Sequence, residues 1–182
     1  MRKIFLSEEQ IKEICVRLGN QLNDRFKDEK ESPIFVCVLK GAANFFINLI
    51  GEIERDIITD YIQVSSYKGT SSTGVIHLKK DFSEDLTNRD VVIVEDIIDT
   101  GLTLSYIKKY IEEKYKPKSI SFVCLIDKKA FRETDLTVDY YGIETNKQDF
   151  LIGFGLDYNE HFRNTKYIYI PDEKEKEELK KL

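Results

Sequence analysis

The sequence predicts an α/β protein whose mostly parallel sheet is flanked by helices. Three buried strands are predicted, at 34–39, 91–94 and 119–126, and the continuous apolar run at 34–39 is typical of a parallel strand covered on both faces. Helical patterns follow the first two strands, so strands and helices alternate along the chain. The 182 residues contain no repeat and no linker, which predicts a single domain over 1–182.

Two helices are predicted on either side of the first buried strand. Ser7–Gln10 is a capping-box signature, and apolar residues then recur at helical spacing from Ile11 to Leu22. The strand at 34–39 ends before Gly41, and a second helix with one apolar side follows it. Both helices therefore have a face that suits packing against the sheet.

The pattern in the middle of the chain predicts a pair of strands that departs from the parallel arrangement. Residues 60–67 alternate partially, as a strand does, and 75–79 have the pattern of a second short strand. Between them, 65–74 is rich in Ser, Thr and Gly, which indicates a loop. We therefore expect 60–79 to form a long antiparallel pair.

The second half of the chain continues the alternation of strands and helices. A helix with apolar residues from Leu102 to Ile111 follows the strand at 91–94, and Pro117 ends it. The third buried strand follows at 119–126. Shorter strands are predicted at 138–141, 150–154 and 167–170, and the charged tail 172–182 is predicted to be a solvated helical end.

Composition and charge argue against several classes of protein. Hydrophobic residues make up 41% and charged residues 34%, which is a globular composition. No apolar run approaches the ~18 residues of a membrane span, and the net charge of −5 disfavours binding to nucleic acid. The N-terminus turns acidic at Glu8, which does not fit a signal peptide. We therefore expect a cytoplasmic protein without a membrane or nucleic-acid partner.

Cysteine and histidine chemistry is also disfavoured. Cys15, Cys37 and Cys124 are far apart in apolar patterns and form no C-x-x-C motif, so we expect buried, reduced thiols. His77 and His161 are too few for a multi-histidine metal site, and no elbow motif supports a catalytic triad. Any chemistry must therefore use carboxylates, lysine, arginine or backbone groups.

The clearest chemical signal lies in Val91–Thr103. A buried strand runs into two adjacent acids, Glu95 and Asp96, and a turn follows at the start of a helix. A helix N-terminus offers free N–H groups to a phosphate, and Gly101 lets the backbone approach it closely. The acids cannot bind phosphate, but they can accept hydrogen bonds from vicinal hydroxyls. A phosphate beside a diol is the pattern of a ribose 5-phosphate.

This segment resembles the phosphoribosyl-pyrophosphate binding motif of the type I phosphoribosyltransferases. An ordinary strand–turn–helix with Asp99 as the N-cap would explain Asp99 and Gly101, but not the two acids before them. Neither a Walker P-loop nor a G-x-G-x-x-G motif is present. The resemblance implies that family's fold, with a small hood formed by the N- and C-terminal segments. It also implies substrate contacts from Glu95, Asp96, Ile98, Asp99, Thr100, Gly101, Leu102 and Thr103.

The first buried strand ends in Leu39-Lys40-Gly41, where this family binds pyrophosphate. The resemblance implies a pyrophosphate contact from Lys40 and Gly41, and the family often has a cis peptide bond between the residues that match Leu39 and Lys40. Many relatives have a second glycine where Ala42 stands, which leaves the path of this loop open. An exposed strand end is the alternative interpretation of Lys40.

Two further segments extend the resemblance, the first to the type I family and the second to its hypoxanthine-guanine phosphoribosyltransferases. Ser66 and Tyr67 resemble part of the family's flexible catalytic loop, which would close over the substrates and exclude water, although a plain hairpin loop is the alternative. Lys128, after the third buried strand, resembles the lysine that contacts the purine 6-oxygen. Its neighbour Lys129 is a second candidate for that role, and a solvated basic loop is the alternative for both.

The segment Phe150–Glu160 resembles the C-terminal purine-binding segment of the same enzymes. The resemblance implies that Phe150 stacks on the base and that Leu151 offers backbone groups to its edge. It further implies that Asp157 helps to hold Mg²⁺ and that Arg163 reaches the pyrophosphate. Considered alone, Phe150 would be a core residue and Arg163 a surface charge.

The resemblance spans 39–163 and implies transfer of the 5-phosphoribosyl group from phosphoribosyl pyrophosphate to N9 of hypoxanthine or guanine. Glu95, Asp96 and Asp157 are the implied Mg²⁺ ligands, and Asp99 is the implied catalytic residue, as a proton acceptor or as a stabiliser of charge on the purine. A homodimer or homotetramer is expected. The alternatives are a regulatory nucleotide- or RNA-binding protein on the same fold, and an enzyme for xanthine, adenine or a pyrimidine.

Overall fold

The computed structural model describes residues 2–66 and 76–181. In these two ranges the strands are β1 (Lys3–Leu6), β2 (Ile34–Leu39), β3 (Ile58–Ser66), β4 (Ile76–Lys80), β5 (Asp90–Ile98), β6 (Ser119–Asp127), β7 (Tyr140–Glu144) and β8 (Ile168–Ile170). The helices are α1 (Glu8–Phe26), α2 (Ala43–Ile50), α3 (Leu102–Lys114) and α4 (Glu173–Leu179).

The main sheet has the strand order β4-β3-β2-β5-β6-β7. β2 pairs in parallel with β3 and with β5, and β5, β6 and β7 continue the parallel pairing. β4 pairs antiparallel with β3, as the pattern at 60–79 predicts. The predicted α/β class with a mostly parallel sheet is confirmed.

Helices cover both faces of this sheet, and alternate residues of each central strand belong to different cores. Phe35 and Cys37 of β2 pack into the core that contains α1 and α2. Ile34, Val36 and Val38 pack into the second core, which contains the apolar side of α3. Burial on both faces is the reason that β2 reads as a continuous apolar run.

The first helix begins where the capping box predicts. The Ser7 side chain accepts a hydrogen bond from the Gln10 N–H, and the Gln10 side chain accepts one from the Ser7 N–H. Gly19 lies against the chain after α2, because a Cβ there would be 2.5 Å from the Cβ of Glu52. α1 and α2 therefore form one layer over the sheet.

A separate small unit joins the two ends of the chain. β1 and β8 form a two-stranded antiparallel sheet, and Ile152, Tyr169 and Leu179 form a third apolar cluster beside it. This is the predicted hood. The predicted helical tail is present as α4, with Asp172 as its N-cap.

Two elements differ from the expectation. The strand expected at 91–94 is longer, since β5 continues through both acids to Ile98. The strand expected at 150–154 is wrong, because only two isolated bridges form there, from Ile152 to Tyr169 and from Gly153 to Leu156. Gly153 and Phe154 have φ angles of 104° and 50°, and this left-handed backbone cannot continue a strand.

The three cysteines are free and buried, as expected. Burial raises the pKa of Cys15 and of Cys37 to about 12, so neither is a thiolate at neutral pH. None of the helices in the two described ranges combines the length and the apolar character needed to cross a membrane.

Candidate active site

Strand ends and connecting segments converge at the carboxyl edge of β2, β5 and β6. The Leu39–Lys40 peptide bond after β2 is cis, as the resemblance implies. A Cβ on Gly41 would lie 2.0 Å from Oδ2 of Asp96, and a Cβ on Gly155 would lie 2.0 Å from the carbonyl oxygen of Gly41. Only glycine fits at both positions. The loop after β2, the acids of β5 and the C-terminal segment are therefore in direct contact.

The two acids of β5 are largely withdrawn from solvent. The Asp96 N–H donates to Oε1 of Glu95 at 3.0 Å, and the Ile97 N–H donates to Oδ1 of Asp96 at 2.8 Å. Burial raises the pKa of Glu95 well above its ordinary value, and the Asp96 charge raises it further. Burial also raises the pKa of Asp96. Two close buried carboxyls form a site that favours a cation or hydroxyl donors.

The turn between β5 and α3 has a backbone conformation that allows a ligand to approach its N–H groups closely. Gly101 is the N-cap of α3 with a φ of 82°, a conformation that favours glycine. Leu102 and Thr103 open the helix, and the N–H groups of a first turn have no acceptor in a preceding turn. The Leu102 N–H lies 3.4 Å from Oγ1 of Thr100. Asp99 is exposed at the start of this turn.

The Arg132 side chain supports the turn between β5 and α3, a role that the sequence alone did not indicate. Its Nε donates to the carbonyl oxygen of Asp99 at 3.2 Å, and its guanidinium forms an ion pair with Asp127. Its Cδ and Oγ1 of Thr134 would both lie 2.6 Å from a Cβ on Gly101. The segment after β6 therefore supports the turn after β5. No local pattern identifies the contact of this arginine with Asp99, because the two residues are 33 positions apart and the pairing of β5 with β6 brings them together.

Lys128 directly follows β6 and is 8% exposed, so it is not a solvated loop residue. Its N–H donates to the carbonyl oxygen of Ile98 at 2.9 Å, and its Nζ donates to the carbonyl oxygen of Asp149 at 3.2 Å. Lys129 is exposed and begins a single 3-10 turn. The Lys128 side chain is therefore buried at this edge of the sheet, whereas the Lys129 side chain faces solvent. The Ile98 side chain is 2% exposed and belongs to the core.

The C-terminal segment presents an aromatic ring next to Lys128. Phe150 is 47% exposed, and its ring lies edge to face with Tyr158 at a centroid distance of 5.8 Å. Both rings line a cavity of about 190 Å³ together with Leu179 of α4. Leu151 is 6% exposed. Phe150 is thus not the core residue that its type alone suggests, and Tyr158 is an unforeseen neighbour.

Four charged side chains form a network beside Gly41. Arg163 forms an ion pair with Oδ1 of Asp157 at 2.9 Å and donates a hydrogen bond to Oε2 of Glu160 at 3.3 Å. The same oxygen of Glu160 accepts a hydrogen bond from Nζ of Lys40 at 2.9 Å. Hydrogen bonds from Lys40 and Arg163 keep the pKa of Glu160 below its ordinary value. Lys40 is therefore paired with Glu160. Glu160 belongs to the site, although the sequence assigned it no role.

The three predicted metal ligands do not form one cluster. Among residues 2–66 and 76–181, no group of three or more His, Cys, Asp or Glu side chains is placed to hold a metal ion. Asp157 instead forms an ion pair with Arg163 and accepts a hydrogen bond from the Glu160 N–H. Glu95 and Asp96 remain together, and adjacent carboxylates suit Mg²⁺, which proteins usually bind through one or two carboxylates and substrate phosphates.

The predicted flexible loop falls mostly outside the described residues. Tyr67 lies outside them, and for Ser66 only the backbone is described, at the end of β3 opposite Ile76. Of the other predicted site residues, Lys40, Gly41, Asp96, Asp157 and Arg163 form one cluster. Asp99–Thr103, Lys128 and Phe150 line the adjoining edge.

The family model described as "Phosphoribosyl transferase domain" matches residues 2–159. The chain belongs to the phosphoribosyltransferase family.

Within this family the chain is similar to hypoxanthine-guanine enzymes. It is 40% identical over 169 residues to the hypoxanthine-guanine phosphoribosyltransferase of Bacillus subtilis, which covers 92% of each chain. It is 39% identical to the bifunctional protein TilS/HprT of Listeria monocytogenes, over 93% of this chain but only 26% of that protein's length. The crystal structure of a hypoxanthine phosphoribosyltransferase from Staphylococcus aureus superposes with a TM-score of 0.88 at 36% identity, covering 96% of this chain and 93% of the other.

Proposed function

We propose that this chain is a single phosphoribosyltransferase domain that transfers the 5-phosphoribosyl group from phosphoribosyl pyrophosphate to N9 of hypoxanthine and guanine. The reaction forms the N9–C1′ bond and breaks the bond from C1′ to pyrophosphate. One observation carries the proposal. Because the Lys128 N–H is bonded to the Ile98 carbonyl at 2.9 Å, a buried lysine lies beside the turn that begins at Asp99. A base held by Lys128 is then adjacent to a phosphoribose held by the turn.

The phosphoribose half is assigned to β5 and α3. The N–H groups of Gly101, Leu102 and Thr103 and the Thr100 hydroxyl bind the 5-phosphate, because a helix N-terminus combines free donors with a positive dipole end. Glu95 and Asp96 accept hydrogen bonds from the ribose hydroxyls. Arg132 supports the turn but does not contact the substrate in this proposal.

The purine-binding half of the site is assigned to the carboxyl end of β6 and to the C-terminal segment. Lys128 donates to the 6-oxygen, and a charge-assisted hydrogen bond of this kind is strong in a partly buried site. Phe150 stacks on the base, and Leu151 offers its backbone groups to the base edge. Asp99 lies next to N7 and accepts a proton, or stabilises the positive charge, as N9 attacks.

The leaving group is assigned to Lys40, Gly41 and Arg163. Glycosyl transfers pass through a transition state that resembles an oxocarbenium ion, so negative charge develops on the departing pyrophosphate. Cationic side chains and N–H groups held at that point stabilise it. Mg²⁺, when bound by Glu95 and Asp96 with Asp157 nearby, would neutralise part of this charge. Ser66 and Tyr67 belong to the segment that excludes water in this proposal.

A panel of bases tests the proposal. The purified chain is incubated with phosphoribosyl pyrophosphate, Mg²⁺ and either hypoxanthine, guanine, xanthine, adenine or uracil, and nucleoside monophosphate formation is measured. We expect turnover with hypoxanthine and guanine. Turnover with only adenine or uracil would contradict the base assignment, and nucleotide binding without turnover would favour a regulatory protein.

We further infer that the enzyme acts in the cytoplasm and assembles as a homodimer or homotetramer. The similarity to hypoxanthine-guanine enzymes supports both inferences. Light scattering coupled to gel filtration distinguishes the two assemblies, and a monomer at micromolar concentration would contradict the second inference.

A further inference from the structure

The carboxylate of Glu160 lies between the two cations that we assign to pyrophosphate. Its Oε2 is 2.9 Å from Nζ of Lys40 and 3.3 Å from the guanidinium of Arg163. Lys40 and Glu160 are 120 positions apart in the sequence, so their contact depends on the fold. The cations are therefore neutralised by the chain itself before any substrate anion arrives.

Arg163 is held independently of Glu160. Its guanidinium donates to the carbonyl oxygen of Gly155 at 2.6 Å and forms an ion pair with Oδ1 of Asp157 at 2.9 Å. The carbonyl oxygen of Arg163 also accepts a hydrogen bond from Nδ2 of Asn44 at 2.8 Å. Arg163 therefore keeps its place when Glu160 is removed or moves away.

Glu160 itself is held more weakly. Its side chain is 63% exposed, whereas the side chain of Asp157 is 30% exposed. Exposed ion pairs contribute little stability, in the range of ~0–1 kcal/mol, so this carboxylate can leave its partners at small cost. Its backbone N–H remains bonded to Oδ2 of Asp157 at 2.8 Å, which keeps the residue nearby.

We propose that Glu160 is an internal counter-ion of the pyrophosphate subsite, which the pyrophosphate group displaces when it binds. Pyrophosphate and the Glu160 carboxylate carry like charges and use the same donors on Lys40 and Arg163, so they exclude each other. Glu160 therefore weakens the binding of pyrophosphate and of phosphoribosyl pyrophosphate, and it speeds release of the product. This inference rests on the proposed function, because it requires that Lys40 and Arg163 receive the pyrophosphate.

The first test is the affinity for inorganic pyrophosphate in the presence of Mg²⁺, measured by titration calorimetry. Glu160→Gln removes the competing charge and keeps the size of the side chain. We expect Glu160→Gln to tighten pyrophosphate binding by roughly three- to tenfold and to lower the KM for phosphoribosyl pyrophosphate in parallel. The reason is that pyrophosphate no longer has to displace the two exposed ion pairs that Glu160 makes with Lys40 and Arg163. The KM for hypoxanthine should not change.

Glu113→Gln is the matched control. Glu113 is an exposed acid of α3 that pairs with Lys109 at 3.8 Å, so the variant makes the same change in net charge far from Lys40. It should leave pyrophosphate binding unchanged. Equal tightening in both variants would overturn the inference, since the effect would then come from the overall charge of the protein.

Lys40→Ala separates this inference from the proposed function. We expect Lys40→Ala to weaken pyrophosphate binding and Glu160→Gln to have a smaller effect in the Lys40→Ala background than alone. If Lys40→Ala weakens binding but Glu160→Gln does not tighten it, the counter-ion inference is wrong and the subsite assignment stands. If Lys40→Ala has no effect on pyrophosphate, the subsite assignment itself is wrong, and the inference fails with it.

A second variant tests whether the change in pyrophosphate binding comes from a folding defect and not from the lost charge. Glu160 has a φ of 69°, a conformation that asparagine tolerates well. Glu160→Asn therefore removes the charge without backbone strain and should tighten pyrophosphate binding as Glu160→Gln does. Looser binding in both variants, with an unchanged thermal unfolding midpoint, would instead assign Glu160 a direct role in holding the substrate.

Discussion

The ammonium nitrogen of Lys128 lies 3.2 Å from the carbonyl oxygen of Asp149, the residue directly before Phe150. This hydrogen bond joins the end of β6 to the C-terminal segment and uses one of the three donors of the ammonium group. The remaining donors of a largely buried cation need acceptors. The 6-oxygen of hypoxanthine or guanine is such an acceptor, whereas adenine presents an amino group at that position.

Base discrimination should therefore depend on Lys128. We expect the enzyme to use hypoxanthine and guanine and to reject adenine by about 10⁴-fold in kcat/KM, because a site built around one hydrogen bond rejects the analogue that cannot form it. Lys128→Gln should reduce this ratio, because an amide can present its oxygen to the adenine amino group. Steady-state kinetics with hypoxanthine and with adenine give the ratio of the two kcat/KM values.

The neighbouring lysine provides the control. Lys129 is exposed, so Lys129→Gln should leave the ratio unchanged. A loss of discrimination in the Lys129 variant but not in the Lys128 variant would reverse the assignment, and wild-type turnover of adenine comparable to that of hypoxanthine would refute it for both lysines.

Asp99→Asn should lower kcat by ~10²–10⁴, the usual effect of losing a general acid–base group. The fold should be unaffected, since the Asp99 side chain is exposed and its contact with Arg132 is made by the backbone carbonyl. Asp135→Asn, at an exposed acid in the nearby connection, is the control and should retain normal turnover. Near-normal turnover of the Asp99 variant would remove this residue from the mechanism.

Removal of divalent cations should abolish turnover. The leaving pyrophosphate carries most of the developing charge, and Glu95 and Asp96 are the adjacent carboxyls suited to a hard cation. Activity is measured in excess chelator and after Mg²⁺ is added back, with the thermal unfolding midpoint recorded in both states. Full turnover in excess chelator would be incompatible with the proposed metal requirement.

Asp90→Asn should destabilise the fold in a way that depends on pH. Asp90 is 6% exposed and lies 2.8 Å from Nζ of Lys118. Burial raises its pKa, but hydrogen bonds from Lys118 and Ser119 outweigh this, and the pKa lies below its ordinary value. The ionised form therefore stabilises the native state at neutral pH. We expect a loss of about 1–3 kcal/mol, which lowers Tm by roughly 2–12 °C for a chain of this size.

The pH dependence of that loss follows from the lowered pKa. The stability that ionised Asp90 contributes is fully present above the pKa of the unfolded chain, near 4, and is lost as pH falls through the lower pKa of the native state. Thermal melts of wild type and Asp90→Asn should therefore differ at pH 6–8, and the difference should shrink as the pH falls below about 4 and through the lower native pKa of Asp90. Asp24→Asn, at an exposed acid of α1, should show no difference at either pH.

Local and strand-length patterns in the sequence determined most of the fold. The capping box of Ser7 placed the start of α1, and the apolar run at 34–39 matched β2 residue for residue. These features are readable because their cause lies within a few neighbouring residues. The motif at Val91–Thr103 was readable for the same reason, since strand, turn and helix start are contiguous.

Tertiary structure alone decided which of these segments meet. The pairing of Lys40 with Glu160, the support of the Asp99 turn by Arg132 and the hydrogen bond from Lys128 to Asp149 all depend on contacts between separate elements. The failure of the strand expected at 150–154 has the same origin. An apolar run favours a strand, but Gly155 must reach within contact of Gly41, and the left-handed backbone that brings it there breaks the ladder. Sequence patterns report local preference, whereas the site is made by distant residues that packing brings together.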